Sequence, residues 1–116
     1  MKFTDTLKKN YEFQRLYSKG KSAVTPFLVV YVRKTKKRTN RIGITVSTKL
    51  GKAVVRNRVR RRLREIYRLA EDAFVPGTEL VVVARVRAVK ATYAQLEKAF
   101  MSSCAKLGVL KERSES

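Results

Sequence analysis

The sixteen residues from Lys49 to Arg64 carry eight lysines and arginines and no carboxylate, yet their apolar residues recur at helical spacing. Continued through the next turn, Val59, Leu63, Ile66 and Ala70 fall within an arc of about 60° on a helix. Arg56, Arg60, Arg64 and Arg68 run down one flank of that stripe, and Arg58 and Arg62 down the other. A segment this positive folds only if the stripe is buried and the remaining faces meet water or a polyanion. Nucleic-acid phosphate is the obvious polyanion, and arginine offers it bidentate geometry that lysine does not. The pattern predicts a helix over 53–72, closed by Pro76-Gly77.

Charge sets the rest of the frame. The chain of 116 residues has 28 Lys+Arg against 9 Asp+Glu, a net charge of +19, with 44% hydrophobic residues. That apolar fraction is too high for a disordered basic tail and predicts a single domain over 1–116, with 1–9 and 109–116 as flexible ends. Self-repulsion opposes compaction, so an anionic partner is expected to stabilise the folded state. An anionic membrane surface ranks below nucleic acid: the longest apolar runs, from Phe27 and from Leu80, are far short of the roughly 20 residues a span needs. Residues 1–20 show no signal-peptide pattern. Cys104, the single cysteine, excludes an intrachain disulfide or a Cys-pair zinc site, and it sits on the apolar stripe of the last helix. A reducing cytoplasm fits these features.

Enzymatic readings find little to stand on. Histidine is absent, which removes the commonest general base and metal ligand. Of the scattered carboxylates only Glu71 and Asp72 are adjacent, and neighbours on a helix do not share a face. Gly51-Lys52 departs from a phosphate loop, with Val46 where that motif needs glycine and Ala53 where it needs serine or threonine. No catalytic or metal-binding residue of the chain is expected.

Along the chain, Asn10 is placed to cap a helix over 11–18, with Gly20 just beyond it. Residues 27–32 read as a central strand, apolar on both faces. Residues 41–47 alternate, with Ile42, Ile44 and Val46 on one face and Gly43, Thr45 and Ser47 on the other. A basic turn, 34–40, separates the two strands, and the pair resembles a hairpin. Residues 79–86 form another strand, and Thr92 with Gln95 fits a capping box at the head of a last helix that stops at Gly108. The expected fold is an α+β two-layer sandwich in α-β-β-α-β-α order, with a mixed sheet of three strands or, with a short one near Ala23, four.

Two residue sets carry binding chemistry. Gly51 permits a tight turn into the basic helix, whose free N–H groups can meet a phosphate. Asn57 either hydrogen-bonds a ribose or base edge or caps the first turn. The second set is aromatic. Phe13 and Tyr17 share a helix face and Tyr31 lies on the neighbouring strand. They are either core or rings that stack unpaired bases, at about 1–3 kcal/mol each.

The stretch from Lys49 to Arg64, with Arg56-Asn57-Arg58 at its centre, closely resembles the signature of the bacterial ribonuclease P protein subunit. Residues 10–20, 41–51 and 80–85 are similar to that family's first helix, pre-signature strand and later strand. The resemblance implies a sandwich with a left-handed β-α-β crossover. It also implies a role as the protein subunit of the ribonucleoprotein endoribonuclease that removes the 5′ leader from precursor tRNA. The catalytic site is then expected in the RNA subunit, with Mg2+ held mainly by RNA and no cofactor bound by the protein alone. The implied partners are the catalytic RNA and precursor tRNA, without a membrane or obligate protein partner. By the same resemblance, Lys49, Lys52, Arg56, Asn57, Arg58, Arg60, Arg61, Arg62, Arg64 and Arg68 face the catalytic RNA. Phe13, Tyr17, Tyr31 and Arg85 line the leader cleft. A ribosomal or other structural RNA-binding protein would share the bulk charge but not the signature with the aromatic triplet. A DNA-binding repressor fits less well, because the basic helix follows a strand rather than a partner helix.

Overall fold

Apolar alternation and helical stripes give way to regular elements along most of the chain. The computed structural model describes residues 4–111. Its elements are β1 (Thr4–Thr6), α1 (Asn10–Lys19), β2 (Lys21–Val24), β3 (Leu28–Lys34), β4 (Asn40–Thr45), α2 (Ala53–Ala70), β5 (Thr78–Ala84) and α3 (Tyr93–Lys106). Short 3-10 turns occupy Thr48–Leu50, Glu71–Ala73 and Val86–Lys90. Val86 therefore leaves the strand predicted for it: Arg85 donates the last ladder bond to Phe27 O, and Ala88 N then turns back onto Arg85 O.

The five strands lie in the order β1-β4-β5-β3-β2. β4 and β5 are parallel and joined through α2, β1 runs parallel to β4, and β3 is antiparallel to both β5 and β2. The expected hairpin between residues 27–32 and 41–47 does not form, because β5 lies between those two strands. Every residue of β5 but Val83 is buried, so the most apolar strand takes the centre, where both faces are covered. Alternation told inside from outside but not which strand pairs with which. The strand near Ala23 is β2. The fifth, β1, had no apolar pattern to announce it.

Side chains hold β1 in place. The single proton of the Thr4 hydroxyl goes to Glu71 Oε2 at 2.6 Å, so the Tyr67 hydroxyl, 2.5 Å away, donates to Thr4. Asn40 Oδ1, at the head of β4, accepts from Thr78 N. Leu7 follows β1, is buried, and donates from its backbone to Ile42 O. Residues 4–9 are thus part of the fold rather than a flexible end. The same holds at the other terminus, where Val109 is buried and accepts from Val75 N, and Lys111 N donates to Ala73 O. Residues 1–3 and 112–116 of the predicted ends lie outside the described residues.

One sheet face, with Leu28, Val30, Val32, Ile42, Leu80, Val82 and Ala84, packs against α2 and α3 as the main core. α2 contributes Val59, Leu63, Ile66 and Tyr67, and α3 contributes Leu96, Ala99, Phe100 and Cys104. The predicted capping box is present: Thr92 N donates to Gln95 Oε1 and Gln95 N to Thr92 Oγ1. Burial in apolar surroundings pushes the Cys104 thiol up to about 12. The opposite face carries α1, with Leu7, Leu16 and Val81 in a smaller cluster.

The start of α1 differs from expectation. Lys9, not Asn10, precedes the helix, and Glu12 supplies the acceptor, taking Lys9 N at 3.0 Å and Lys8 N at 3.3 Å. Arg41 of β4 pairs with the other carboxylate oxygen. These donors, Lys9 N first, hold the Glu12 carboxyl below the usual glutamate range against the opposing effect of burial.

Magnitudes explain why α2 tolerates its charge. Each like-charged i,i+3 or i,i+4 neighbour costs about 0.2–0.5 kcal/mol, so the half-dozen along this helix oppose it by roughly 1–3 kcal/mol. The four buried side chains contribute about 1.5–3 kcal/mol each. Burial wins.

Candidate nucleic-acid interface

The approach to α2 is a short turn. Gly51 lies at φ +129°, in the region that favours glycine. Gly51 O accepts from Arg56 Nε at 3.2 Å, so the first arginine of the helix ties the turn down. No side chain caps the first turn of α2. Asn57 is exposed and its Oδ1 accepts from Arg60 at 2.7 Å. The capping alternative for Asn57 is therefore excluded, and what remains is an exposed amide that orients an arginine.

The decisive question for the basic helix is whether its guanidinium groups are spent on the chain's own carboxylates. Among the described residues, the ion pairs are Arg33 with Glu79, Arg41 with Glu12, and Arg68 with Glu65. Within α2 only Arg68 is paired, by two hydrogen bonds of 3.1 and 2.6 Å, which hold the Glu65 carboxyl low. Lys49, Lys52, Arg58, Arg61 and Arg64 are exposed. Arg56 and Arg60 are half-buried, and so is Arg62, which donates to Ala91 O across to the end of the last 3-10 turn. The predicted basic set thus divides: an open cationic surface over the first three turns, and a neutralised arginine near the end.

The aromatic set is brought together on the α1 face of the sheet. Tyr17 and Tyr31 meet edge to face with centroids 5.0 Å apart, and the Tyr17 hydroxyl lies 3.2 Å from Thr45 Oγ1. Phe13 lies over Gly43, where a Cβ would come within 2.5 Å of its ring. All three aromatics pack on the smaller cluster yet stay half-buried. They are neither interior core nor free platforms; each is anchored on one side and open on the other. Arg85 follows Val83 by one pleat on the same strand face. It is exposed and donates to Thr25 O at 2.8 Å, which fixes it at the rim.

Sequence reasoning missed the meeting of the two sets. A cavity of about 290 Å³ at the edge of β4 is lined by Phe13 from α1, Ile42 and Ile44, and Arg60 and Arg64 from α2, with Thr6 and Leu7 walling its side. It exists because β1 covers β4 only through Ile42. Nothing local in the sequence signals that neighbourhood. Among the described residues, no three carboxylate, thiol or imidazole groups converge as a metal site, and no helix is long and apolar enough to cross a membrane.

Residues 1–108 match the family model described as Ribonuclease P. The chain is 45% identical over 96 residues to the ribonuclease P protein component of Clostridioides difficile (strain 630), covering 82% of this chain and 84% of that one. It is 38% identical over 107 residues to the component of Natranaerobius thermophilus, covering 92% and 93%. Among solved structures, the RNase P protein of Staphylococcus aureus is similar with a TM-score of 0.83 and 34% identity, over 91% of this chain and 97% of that one. The protein from Thermotoga maritima is similar with a TM-score of 0.76 and 27% identity, over 84% and 93%.

Proposed function

The chain belongs to the ribonuclease P protein family, and we propose that it acts there by binding RNA on two adjoining surfaces while the RNA subunit performs the cleavage. The first three turns of α2 dock against catalytic RNA, and the aromatic face beside α1 receives the single-stranded 5′ leader of precursor tRNA. The observation that carries this reading is the shared cavity: Phe13 and the pair Arg60 and Arg64 line one recess. A strand crossing the aromatics meets arginine without a gap, so leader and catalytic RNA can be held side by side. Half-buried rings suit this task, because their inner sides are fixed by packing and little order is lost when a base stacks on them.

The chemistry of the chain fits a supporting role. It has no histidine, and its described carboxylates do not cluster. The metal ions of the reaction are expected mainly on RNA phosphates. The protein supplies positive charge that lowers repulsion between substrate and catalytic RNA. A cytoplasmic location accords with this task.

Reconstitution tests the reading. Protein alone is expected to leave precursor tRNA intact and to stimulate cleavage strongly when catalytic RNA is present at low magnesium. Cleavage by RNA-free protein would overturn it. Replacing Arg56, Arg60 and Arg64 by alanine is expected to flatten the salt dependence of catalytic-RNA binding by roughly 0.7–0.9 log unit per lost phosphate contact. Phe13→Ala is expected to weaken precursor binding about tenfold, the worth of one lost stack, with mature tRNA hardly affected. Equal loss for both would return Phe13 to a purely structural role.

A further inference from the structure

The interface above leaves a second basic segment unused. Residues 34–40 carry Lys34, Lys36, Lys37 and Arg38 with no carboxylate, and all four side chains are exposed. We propose that these residues form a separate phosphate-binding surface for folded RNA of the catalytic subunit, at the end of the sheet remote from the start of α2. This inference rests on the RNA-binding reading above.

Register fixes the location. Lys34 pairs with Thr78 and Thr4 with Asn40, so the segment sits where β4 and β5 begin. Leu28 pairs with Ala84 and Thr45 with Val83, which puts Thr48–Leu50, Val86–Lys90 and the head of α2 at the other end. The seven residues of β3 separate those ends by about 20 Å at roughly 3.3 Å per residue. Screening at physiological salt acts over about 8 Å. Phosphates neutralising one end therefore leave the other uncompensated, and a second RNA segment is needed.

The segment is built rather than loose. Thr35 donates to Gly77 O from both its backbone N–H, at 2.8 Å, and its hydroxyl, at 3.0 Å. Lys37 N donates to Thr35 Oγ1 at 3.3 Å. Gly77 lies at φ +84°, and a Cβ there would come within 2.6 Å of Thr35 O, so the loop seats directly on the glycine backbone. Lys19, Lys21 and Arg33 join Lys34 around an adjacent recess of about 280 Å³. Counter-charge is unevenly spread. Arg33 pairs with Glu79, and Arg38 shares a cavity with Glu71 and Asp72. Lys34, Lys36 and Lys37 form no ion pair among the described residues.

Two observations select the partner. Among the described residues the exposed large apolar side chains are Tyr11, Val24, Val54, Leu69 and Val86, none of them in this loop, so a membrane would find charge without an apolar wedge there. The aromatic rings reach Gly43 and Thr45 of β4, toward the end of that strand opposite Asn40, where this loop joins it. A leader strand on those rings runs away from Lys36 and Lys37. Folded RNA, which presents phosphates over a broad surface, reaches both ends.

The test compares three full-length proteins binding catalytic RNA across a salt series: wild type, the α2 variant R56A/R60A/R64A, and K34Q/K36Q/K37Q. The loop lysines are exposed, so the last variant keeps the fold, which thermal melts check. It is expected to lower the slope of log affinity against log salt by about two and to raise Kd about tenfold at physiological salt. The lysine-to-arginine triple should retain wild-type binding. A wild-type slope for the glutamine variant overturns the inference, as does a loss seen only with long-leader precursor or only with anionic vesicles. Failure of the wild type itself to bind catalytic RNA would instead sink the proposed function, so the two failures are distinct.

Discussion

The two faces of the sheet use the same alternating strands and end in opposite states. Under α2 and α3, Leu28, Val30, Leu80, Leu96 and Cys104 are wholly inaccessible. Under α1, the buried apolar side chains among the described residues are Leu7, Leu16 and Val81, and Phe13, Tyr17, Tyr31 and Val83 stay half-buried around them. Two helices close one face; a single ten-residue helix crosses the other and cannot cover five strands. The uncovered remainder is where aromatic rings and hydroxyls sit side by side, as in the Tyr17–Thr45 contact. Incomplete cover is thus what makes one face a binding surface.

Substitutions can break or sharpen that contrast. The largest effect is expected on the closed face: Phe100→Ala, which removes a ring packed on Tyr67 and Phe74, should destabilise the protein by about 3–5 kcal/mol in denaturant melts. A loss under 1 kcal/mol would mean that this face is not the tighter of the two. Gly43→Ala strikes the open face, where the new methyl would meet the Phe13 ring. A cost of about 1–3 kcal/mol is expected, together with weaker leader binding as the ring shifts.

A pH titration addresses the latch of α1. Because the folded Glu12 carboxyl titrates below its ordinary value, its contribution is complete above the unfolded value of about 4.3 and fades as pH falls through the lower folded value. Glu12→Gln should flatten the acid limb of stability in that window and leave neutral-to-alkaline behaviour parallel to wild type. An unchanged acid limb would show that the latch does not hold α1. The smallest effect is expected from Tyr17→Phe, about 0.5–1.5 kcal/mol for one hydroxyl contact. Leader affinity should stay near wild type, since the ring remains. A large loss of affinity would assign the hydroxyl, not the ring, to recognition.

Legibility followed the range of the interactions. The stripe Val59, Leu63 and Ile66 read correctly because helical periodicity is local, and so did the capping box at Thr92 and Gln95. Tyr67 was missed, although it lies one residue from that stripe, because its burial depends on Thr4, Phe74 and Phe100. β1 was invisible for a similar reason. Its partners Tyr67 and Glu71 are 63 and 67 residues away, and no alternation marks Thr-Asp-Thr. In the site, the exposure of Arg58 and Arg61 followed from charge alone, whereas the pairing of Arg68 with Glu65 required side-chain geometry.

The order of residues by itself determined that a cationic helix with one apolar stripe would form, and that its charge would outrun the carboxylates available to neutralise it. Periodicity and charge balance are local or additive, so no partner element is needed to read them. Only the tertiary structure decided that β5 separates β3 from β4, that β1 stops at Ile42, and that Phe13 therefore shares a recess with Arg60 and Arg64. Those outcomes rest on contacts between distant segments competing for the same sheet edge, and a linear pattern does not rank such competitors.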